Sequence, residues 1–202
     1  MTNEHYFSGT PESELKLRSI HATIAGRDVE LTTANGVFSP ERVDAGTRVL
    51  LSSVPAPPPG GNLLDLGCGW GPIALTLAAD SPHATVWAVD VNERSLDLVR
   101  RNAESMGLTN VNAVLPQDVP DDVRFMTIWS NPPIRVGKQA LHDLLLQWLP
   151  RLAPDGVARL VVGKNLGADS LQRWLVEQGW PTARVDSEKG FRILEIRRSP
   201  AA

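Results

Sequence analysis

Asn62-Leu63-Leu64-Asp65-Leu66-Gly67-Cys68-Gly69-Trp70-Gly71-Pro72 decides how the rest of this chain is read. An apolar run ends in an acid, and three glycines follow at alternate positions. A helical pattern from Pro72 to Ala79 then starts at once. This predicts a strand, a tight turn and a helix. Glycine lets the backbone approach a ligand that a β-carbon would hold off. The helix N-terminus behind it presents unpaired N–H groups.

A dinucleotide-binding fold shares this outline, but its fingerprint is G-x-G-x-x-G. Here the spacing is G-x-G-x-G, and Pro72 occupies the sixth position. Pro72 suits the first turn of a helix, where its missing N–H would be unpaired anyway. It cannot serve as the glycine that lets helix and strand pack closely. Asp65, just before the turn, is awkward for a pyrophosphate and comfortable for a cationic ligand. S-adenosylmethionine carries a sulfonium, an ammonium and no phosphate. The Asp65-x-Gly67-x-Gly69-x-Gly71 form resembles the first motif of class I methyltransferases.

The chain has 202 residues, enough for one well-buried domain and short for two. No apolar run reaches membrane-spanning length. The polar start Met1-Thr2-Asn3-Glu4-His5-Tyr6 does not read as a signal peptide. A single cysteine, Cys68, allows no internal disulfide. Together these features predict a cytoplasmic protein with no membrane partner. Cys68 has no metal-ligand spacing around it and reads as a small residue filling space, so no metal is expected. The formal net charge of −3 argues against sequence-blind nucleic-acid binding, which runs on cationic surface, yet allows a local basic patch.

Upstream of the turn, Ile20 to Ala25 and Val29 to Thr33 alternate around Ala25-Gly26-Arg27-Asp28 and predict a β-hairpin. Asp44 can cap a helix over Ala45–Ser53. By spacing alone, Phe38 and Ser39 read as buried hinge residues rather than as the border of a cleft. The proline run from Pro55 to Gly61 is a stiff connector ending in a flexible joint. It divides an extension, residues 1–54, from a main domain, residues 60–198.

Downstream, strand and helix patterns alternate, which argues for a parallel sheet. The second strand, Thr85 to Asp90, ends in an acid 21 positions after Gly69. An acid there accepts hydrogen bonds from ribose hydroxyls, and Asn92 is available to cap the next helix instead. A helix is expected over Arg94–Met106 and a strand over Val111–Leu115. Asp118 follows that strand, either as a solvated loop residue or as an acceptor for an adenine amino group. Phe125 to Ser130 forms the fourth strand and runs into Asn131-Pro132-Pro133-Ile134-Arg135. Ligands on open α/β sheets bind beyond the carboxyl ends of the strands, so Asn131 should meet Asp90 and the glycine turn there. A helix over Gln139–Leu152 carries an apolar stripe of Leu141, Leu144, Leu145, Trp148 and Leu149, expected as core. Pro154-Asp155-Gly156 reads as a turn, Val157 to Val162 as a strand and Ala168 to Gln178 as a helix. Residues 181–186 and 190–197 complete the set as two strands.

These residues together resemble a narrower family. His5-Tyr6-Phe7-Ser8, Gly36-Val37-Phe38-Ser39, Val43-Asp44-x-Gly46-Thr47 and Asn131-Pro132-Pro133-Ile134-Arg135-x-Gly137-Lys138 are similar to motifs of the small-subunit ribosomal RNA guanine-N2 methyltransferases, in a single-domain form. The resemblance runs from about His5 to Arg197. It implies an α/β, Rossmann-like class I methyltransferase fold. Its seven-stranded, mostly parallel sheet carries helices on both faces, an antiparallel last strand and a small N-terminal hairpin and helix extension. It implies S-adenosylmethionine as cofactor, with Asp65, Gly67, Gly69 and Gly71 around the methionine part. Asp90 would hold the ribose, Val91 would lie against the adenine and Asp118 would take its amino group. Phe38 and Ser39 would help close the pocket.

The implied catalytic residues are Asn131, Pro132 and Pro133. The Asn131 side-chain oxygen and the Pro132 carbonyl can accept the hydrogens of an exocyclic amino group and aim its lone pair. Related amino methyltransferases often place an aromatic after Asn-Pro-Pro; here Ile134 would sandwich the base, with less stacking energy than an aromatic. Arg135 and Lys138 are the neighbouring cations, either contacts to RNA or plain surface residues. The implied partner is RNA, as small-subunit ribosomal RNA or an assembling subunit. Competing acceptors are adenine N6, a protein glutamine and a small molecule. A nicotinamide oxidoreductase is disfavoured by Pro72 and Asp65, and a non-catalytic RNA assembly factor by the presence of Asn131, Pro132, Asp65 and Asp90.

Overall fold

The computed structural model describes residues 14–199, so the His5–Ser8 motif lies outside the described residues. Strands β1 (Leu17–Ile24) and β2 (Arg27–Ala34) form the hairpin. They pair in full register from Leu17↔Ala34 to Ile24↔Arg27. Ala25 and Gly26 both adopt positive φ, 49° and 73°, which matches the twist of a two-residue hairpin turn. Helix α1 (Ala45–Ser53) follows, and Asp44 caps it by accepting from the Gly46 and Thr47 N–H groups.

The main sheet has seven strands in the order β5-β4-β3-β6-β7-β9-β8. Its strands are β3 (Gly60–Leu66), β4 (His83–Val89), β5 (Val111–Val114), β6 (Phe125–Ser130), β7 (Leu152–Gly163), β8 (Thr182–Glu188) and β9 (Phe191–Arg197). All adjacent pairs from β5 to β7 are parallel; β9 runs antiparallel between β7 and β8. The expected α/β class, seven strands and antiparallel last strand are all present. Buried runs such as Leu63-Leu64-Asp65-Leu66 suit strands covered on both faces.

Helices α1, α2 (Pro72–Asp80) and α3 (Glu93–Ser105) cover one face, where Leu50, Leu77 and Val99 meet Leu63, Val86 and Ile193. Helices α4 (Lys138–Trp148) and α5 (Ala168–Glu177) cover the other, with Leu145, Trp148 and Leu175 against Phe125, Ile128 and Leu160. The hairpin buries Ile24, Leu31 and Ala34 against Trp70, Leu75 and Leu98. Asn102 of α3 binds it there: Oδ1 accepts from the Thr32 N–H, and Nδ2 donates to the Thr32 and Trp70 carbonyls.

Two boundaries differ from expectation. The residues Pro154-Asp155-Gly156 lie within β7, because Leu152 already pairs with Phe125 and the register then jumps to Thr127↔Val157. The expected turn is thus a bulge, and a β-carbon on Gly156 would sit 2.5 Å from the Phe125 carbonyl oxygen. Helix α4 stops at Trp148 and tightens into a 3-10 turn over Leu149–Arg151, where Pro150 has no N–H to continue the ladder.

Candidate functional site

A cavity of about 440 Å³ opens beyond the carboxyl ends of β3, β4, β6 and β7, a size typical of small-ligand sites. Its walls come from distant parts of the chain, including Phe38, Gly67, Gly69, Asp90, Asn131 and Phe191. Adjacency of β3 and β6 brings the glycine turn and the Asn131 segment together. The Ser130 hydroxyl donates to the Leu66 carbonyl at 2.6 Å and fastens the two strand ends.

The glycine turn takes its shape from three positive φ angles, 76° at Gly67, 53° at Gly69 and 102° at Gly71. A side chain would be strained at all three. A β-carbon on Gly69 would project into open space, so its absence leaves room for a ligand. The Gly67 and Cys68 N–H groups donate to the Val89 carbonyl at 2.8 and 3.1 Å, and Gly69 N–H donates to Asp90 Oδ2 at 2.9 Å. The other Asp90 oxygen accepts from Asn92 N–H at 2.9 Å. With the Val91 N–H as a third backbone donor, the carboxylate still keeps acceptor capacity toward the cavity that it lines. Burial raises the Asp90 pKa, and the backbone donors oppose the shift. Asn92 caps α3 through Arg94 N–H, leaving Asp90 free of that duty.

Asp65 stands one residue behind the wall and is fully buried. Its Oδ2 accepts from Ala74 N–H at 2.8 Å, while Oδ1 has no partner. Burial, with the Asp90 charge adding to it, pushes its pKa up to about 8. Burial likewise raises the Cys68 thiol, which stays protonated at neutral pH and packs in the turn.

Phe38 and Val91, 39% and 43% exposed, form the rim. Phe38 is thus a cavity residue and not a buried hinge. Ser39 and Gly71 stand outside the lining: the Ser39 carbonyl accepts from Trp70 Nε1 at 3.1 Å, and Gly71 lies against Val99. Asp118 is exposed in the 3-10 turn Pro116–Asp118, from which Pro116 reaches the cavity.

On the opposite wall, Asn131 is held by two acceptors. Its Nδ2 donates to Asp44 Oδ2 at 2.8 Å and to Thr47 Oγ1 at 3.1 Å. Among the described residues Oδ1 accepts nothing. The next three residues form an inverse γ-turn: Ile134 N–H donates to the Pro132 carbonyl at 2.8 Å, with Pro133 at φ −74° and ψ 74°. The turn fixes the Pro132 oxygen and leaves its second lone pair available. Asn131 and Pro132 both line the cavity across from the glycine turn, and each carries an oxygen with capacity to accept an N–H hydrogen.

Ile134 lines this cavity and a second one of about 180 Å³, which Lys138 and His142 also line. His142 stacks on Trp174 with ring centroids 3.5 Å apart. Arg135 lies in the short turn Ile134–Val136. Sequence reasoning missed Pro116, Gly163, Leu166 and Phe191 as wall residues, and took Leu144 and Trp148 as core only. Asp44 was signalled as a helix cap and as part of the Val43-Asp44-x-Gly46-Thr47 motif, but not as a partner of Asn131.

Residues 28–195 match the family described as the methyltransferase small domain. The chain is 35% identical over 199 residues to the uncharacterized protein YbxB of Bacillus subtilis (strain 168), covering 97% of this chain and 99% of that protein. It is 33% identical over 183 residues to the ribosomal RNA small subunit methyltransferase C of Pseudomonas aeruginosa (strain LESB58), covering 87% of this chain and 53% of that one. It is also similar to a T. Thermophilus 16S rRNA N2 methyltransferase solved with AdoMet and guanosine. That likeness has a TM-score of 0.76 and 25% identity, over 94% of this chain and 52% of the other. The chain spans about half the length of these last two proteins.

Proposed function

The chain belongs to the methyltransferase small domain family, and from that premise we propose that it transfers a methyl group from S-adenosylmethionine to the exocyclic amino group of guanine N2 in small-subunit ribosomal RNA. The observation that carries the reading is Asn131 Oδ1, turned free beside the fixed Pro132 carbonyl in a cavity shared with the glycine turn. The names of the ribosomal relatives support the nucleic-acid acceptor.

The residues present fit the cofactor. Gly67 and Gly69 leave the space, Asp90 keeps acceptor capacity for ribose hydroxyls, and Val91 and Phe38 offer apolar surface at the rim. Asp65, with an orphaned oxygen behind the turn, can ionise to balance a cation seated in front of it. S-adenosylmethionine, when bound, supplies a methyl carbon on a sulfonium, which the amino nitrogen takes as the C–S electron pair returns to sulfur. Asn131 and Pro132 accept the two amino hydrogens, draw the nitrogen out of conjugation and orient its lone pair. Both oxygens also stabilise the positive charge that grows on that nitrogen. No side chain need act as a strong base, because the methylated nitrogen sheds its proton readily to water.

Ile134 is the apolar contact for the base, and Arg135 and Lys138 are the adjacent cations for RNA phosphates. The hairpin and α1 act as an extension, residues 1–54, that delivers Phe38 and Asp44 to the domain over residues 60–198. Among the described residues no helix is long and apolar enough to cross a membrane; the reading implies a cytoplasmic protein.

The test is transfer of labelled methyl from S-adenosylmethionine to unmodified, transcribed small-subunit ribosomal RNA, naked or assembled, with Asn131→Ala as control. Label recovered as N2-methylguanosine and lost in the variant supports the reading. Cofactor binding without label in either RNA form would sink it.

A further inference from the structure

Asn131 can work only if its amide presents oxygen, not nitrogen, to the cavity. A side-chain amide is nearly symmetric in shape, so packing alone does not choose. The structure shows what chooses. Asp44 is a carboxylate beside the amide and can only accept. Its Oδ2 takes Nδ2 at 2.8 Å, and Thr47 Oγ1 takes the second hydrogen of the same group at 3.1 Å. Turned over, Asn131 Oδ1 would face the carboxylate with no proton between them.

Asp44 is itself fixed. The same Oδ2 accepts from Gly46 N–H at 2.7 Å and Thr47 N–H at 3.3 Å, as the cap of α1. Gly46 keeps the space open: a β-carbon there would lie 3.0 Å from that oxygen and 3.1 Å from the Phe191 ring. The segment Asp44-Ala45-Gly46-Thr47 is therefore a clamp built on a helix start. A hydrogen bond to a charged acceptor also polarises the amide. That polarisation makes Asn131 Oδ1 a stronger acceptor where positive charge develops.

We infer that Asp44 is a positioning residue for methyl transfer, holding the Asn131 amide in the one orientation that receives an amino group and strengthening its oxygen. The inference rests on the amino-acceptor role proposed above for Asn131. Its test needs one readout that requires no acceptor.

Ser is about as good a helix cap as Asp, but its hydroxyl is one atom too short to reach Asn131. Asp44→Ser therefore separates the two duties. The Asn131 side-chain amide is followed by ¹⁵N NMR, cofactor affinity by calorimetry, and kcat and KM on unmodified, transcribed small-subunit ribosomal RNA. In Asp44→Ser the Asn131 amide protons should move upfield and exchange faster with water. The melting temperature and cofactor Kd should stay near wild type, and kcat should fall about a hundredfold, as expected for a misoriented reacting group. Asp44→Asn keeps a cap and an acceptor but loses the charge, so its kcat should fall about tenfold, between the two. Unchanged Asn131 amide signals in Asp44→Ser would overturn the inference. So would a loss of kcat matched by equal losses of cofactor affinity and melting temperature. If wild-type protein methylates no RNA, the ribosomal reading fails, and the amide signals still decide whether Asp44 sets Asn131.

Discussion

Asp65→Asn should remove a pH dependence that the wild-type fold carries. The Asp65 carboxyl is fully buried with one oxygen unpartnered, and its pKa rises from an ordinary 3.8 to about 8. Between those values the folded protein holds a proton that the unfolded chain has released. The folded state binds more protons, so stability falls as pH rises through the window, by about 1.4 kcal/mol per unit. Neutral pH lies roughly three units into it, a cost of about 4 kcal/mol. Asparagine cannot titrate, and its oxygen can still accept from Ala74 N–H. The amide left at the orphaned position adds an offset that does not vary with pH, so the slope is the readout. Urea unfolding of both proteins from pH 5.5 to 7.5 should show their stabilities diverging by about 1.4 kcal/mol per unit in favour of the variant. Parallel curves would refute the argument. A second arm uses the cofactor. A cation seated against the glycine turn would drive Asp65 to ionise, so binding at pH 7 should release close to one proton, measured by calorimetry in buffers of different ionisation enthalpy. No proton release would mean that Asp65 stays neutral in the complex.

Asp90→Ala should weaken S-adenosylmethionine binding at least tenfold by calorimetry, because it also strips the partner from Gly69 N–H, a loss of about 1–3 kcal/mol. Gly71→Ala should lower stability by about 1–3 kcal/mol in chemical denaturation, since φ is 102° and the new β-carbon would lie 3.1 Å from Val99. Asn102→Ala removes two hydrogen bonds from α3 to β2 and a third to the Trp70 carbonyl in the glycine turn. Hydrogen exchange should then show faster opening of β2 with little change in β6, at a cost of about 2–4 kcal/mol. Ile134→Phe should lower KM for RNA several-fold with kcat nearly unchanged, as a stacking ring contributes about 1–3 kcal/mol.

The half of the cavity at the glycine turn was legible because its residues lie next to strong local signals. Gly67 and Gly69 sit in a strand-turn-helix pattern, Asp90 ends a strand, and Asn92 could be seen to free it. Asn131 was legible by order, as the residue after the fourth strand of an alternating pattern. The rest of the opposite wall was not. Asp44 reads as a helix cap, and its contact with Asn131 spans 87 positions. Phe191 reaches the cavity because β9 inserts beside β7, a pairing that no spacing announces, while Gly163 ends β7 and Leu166 stands in the short turn after it. Leu144 and Trp148 have the pattern of core residues, and they are core on one side; the cavity touches their other side. The stretch around Gly156 has turn composition, yet the glycine serves close backbone approach within a bulged strand. Asp118 shows the reverse: an acid at the expected place that the local 3-10 turn leaves exposed.

The position of β9 has a consequence for how the molecule comes into being. Among the described residues it comes last of the strands in chain order, yet it is an interior one, filling the slot between β7 and β8. Until it arrives, β8 has no partner at all and β7 presents an open edge, the kind of surface on which nascent chains misassociate. The same arrival brings Phe191 to the wall of the cavity and against Gly46. Strands β3 to β7 all precede β9 in the chain, so the wall of the cavity is complete only once β9 has been made. A ribosome paused before codon 191 would hold a protein with its glycine turn in place and no finished chamber behind it.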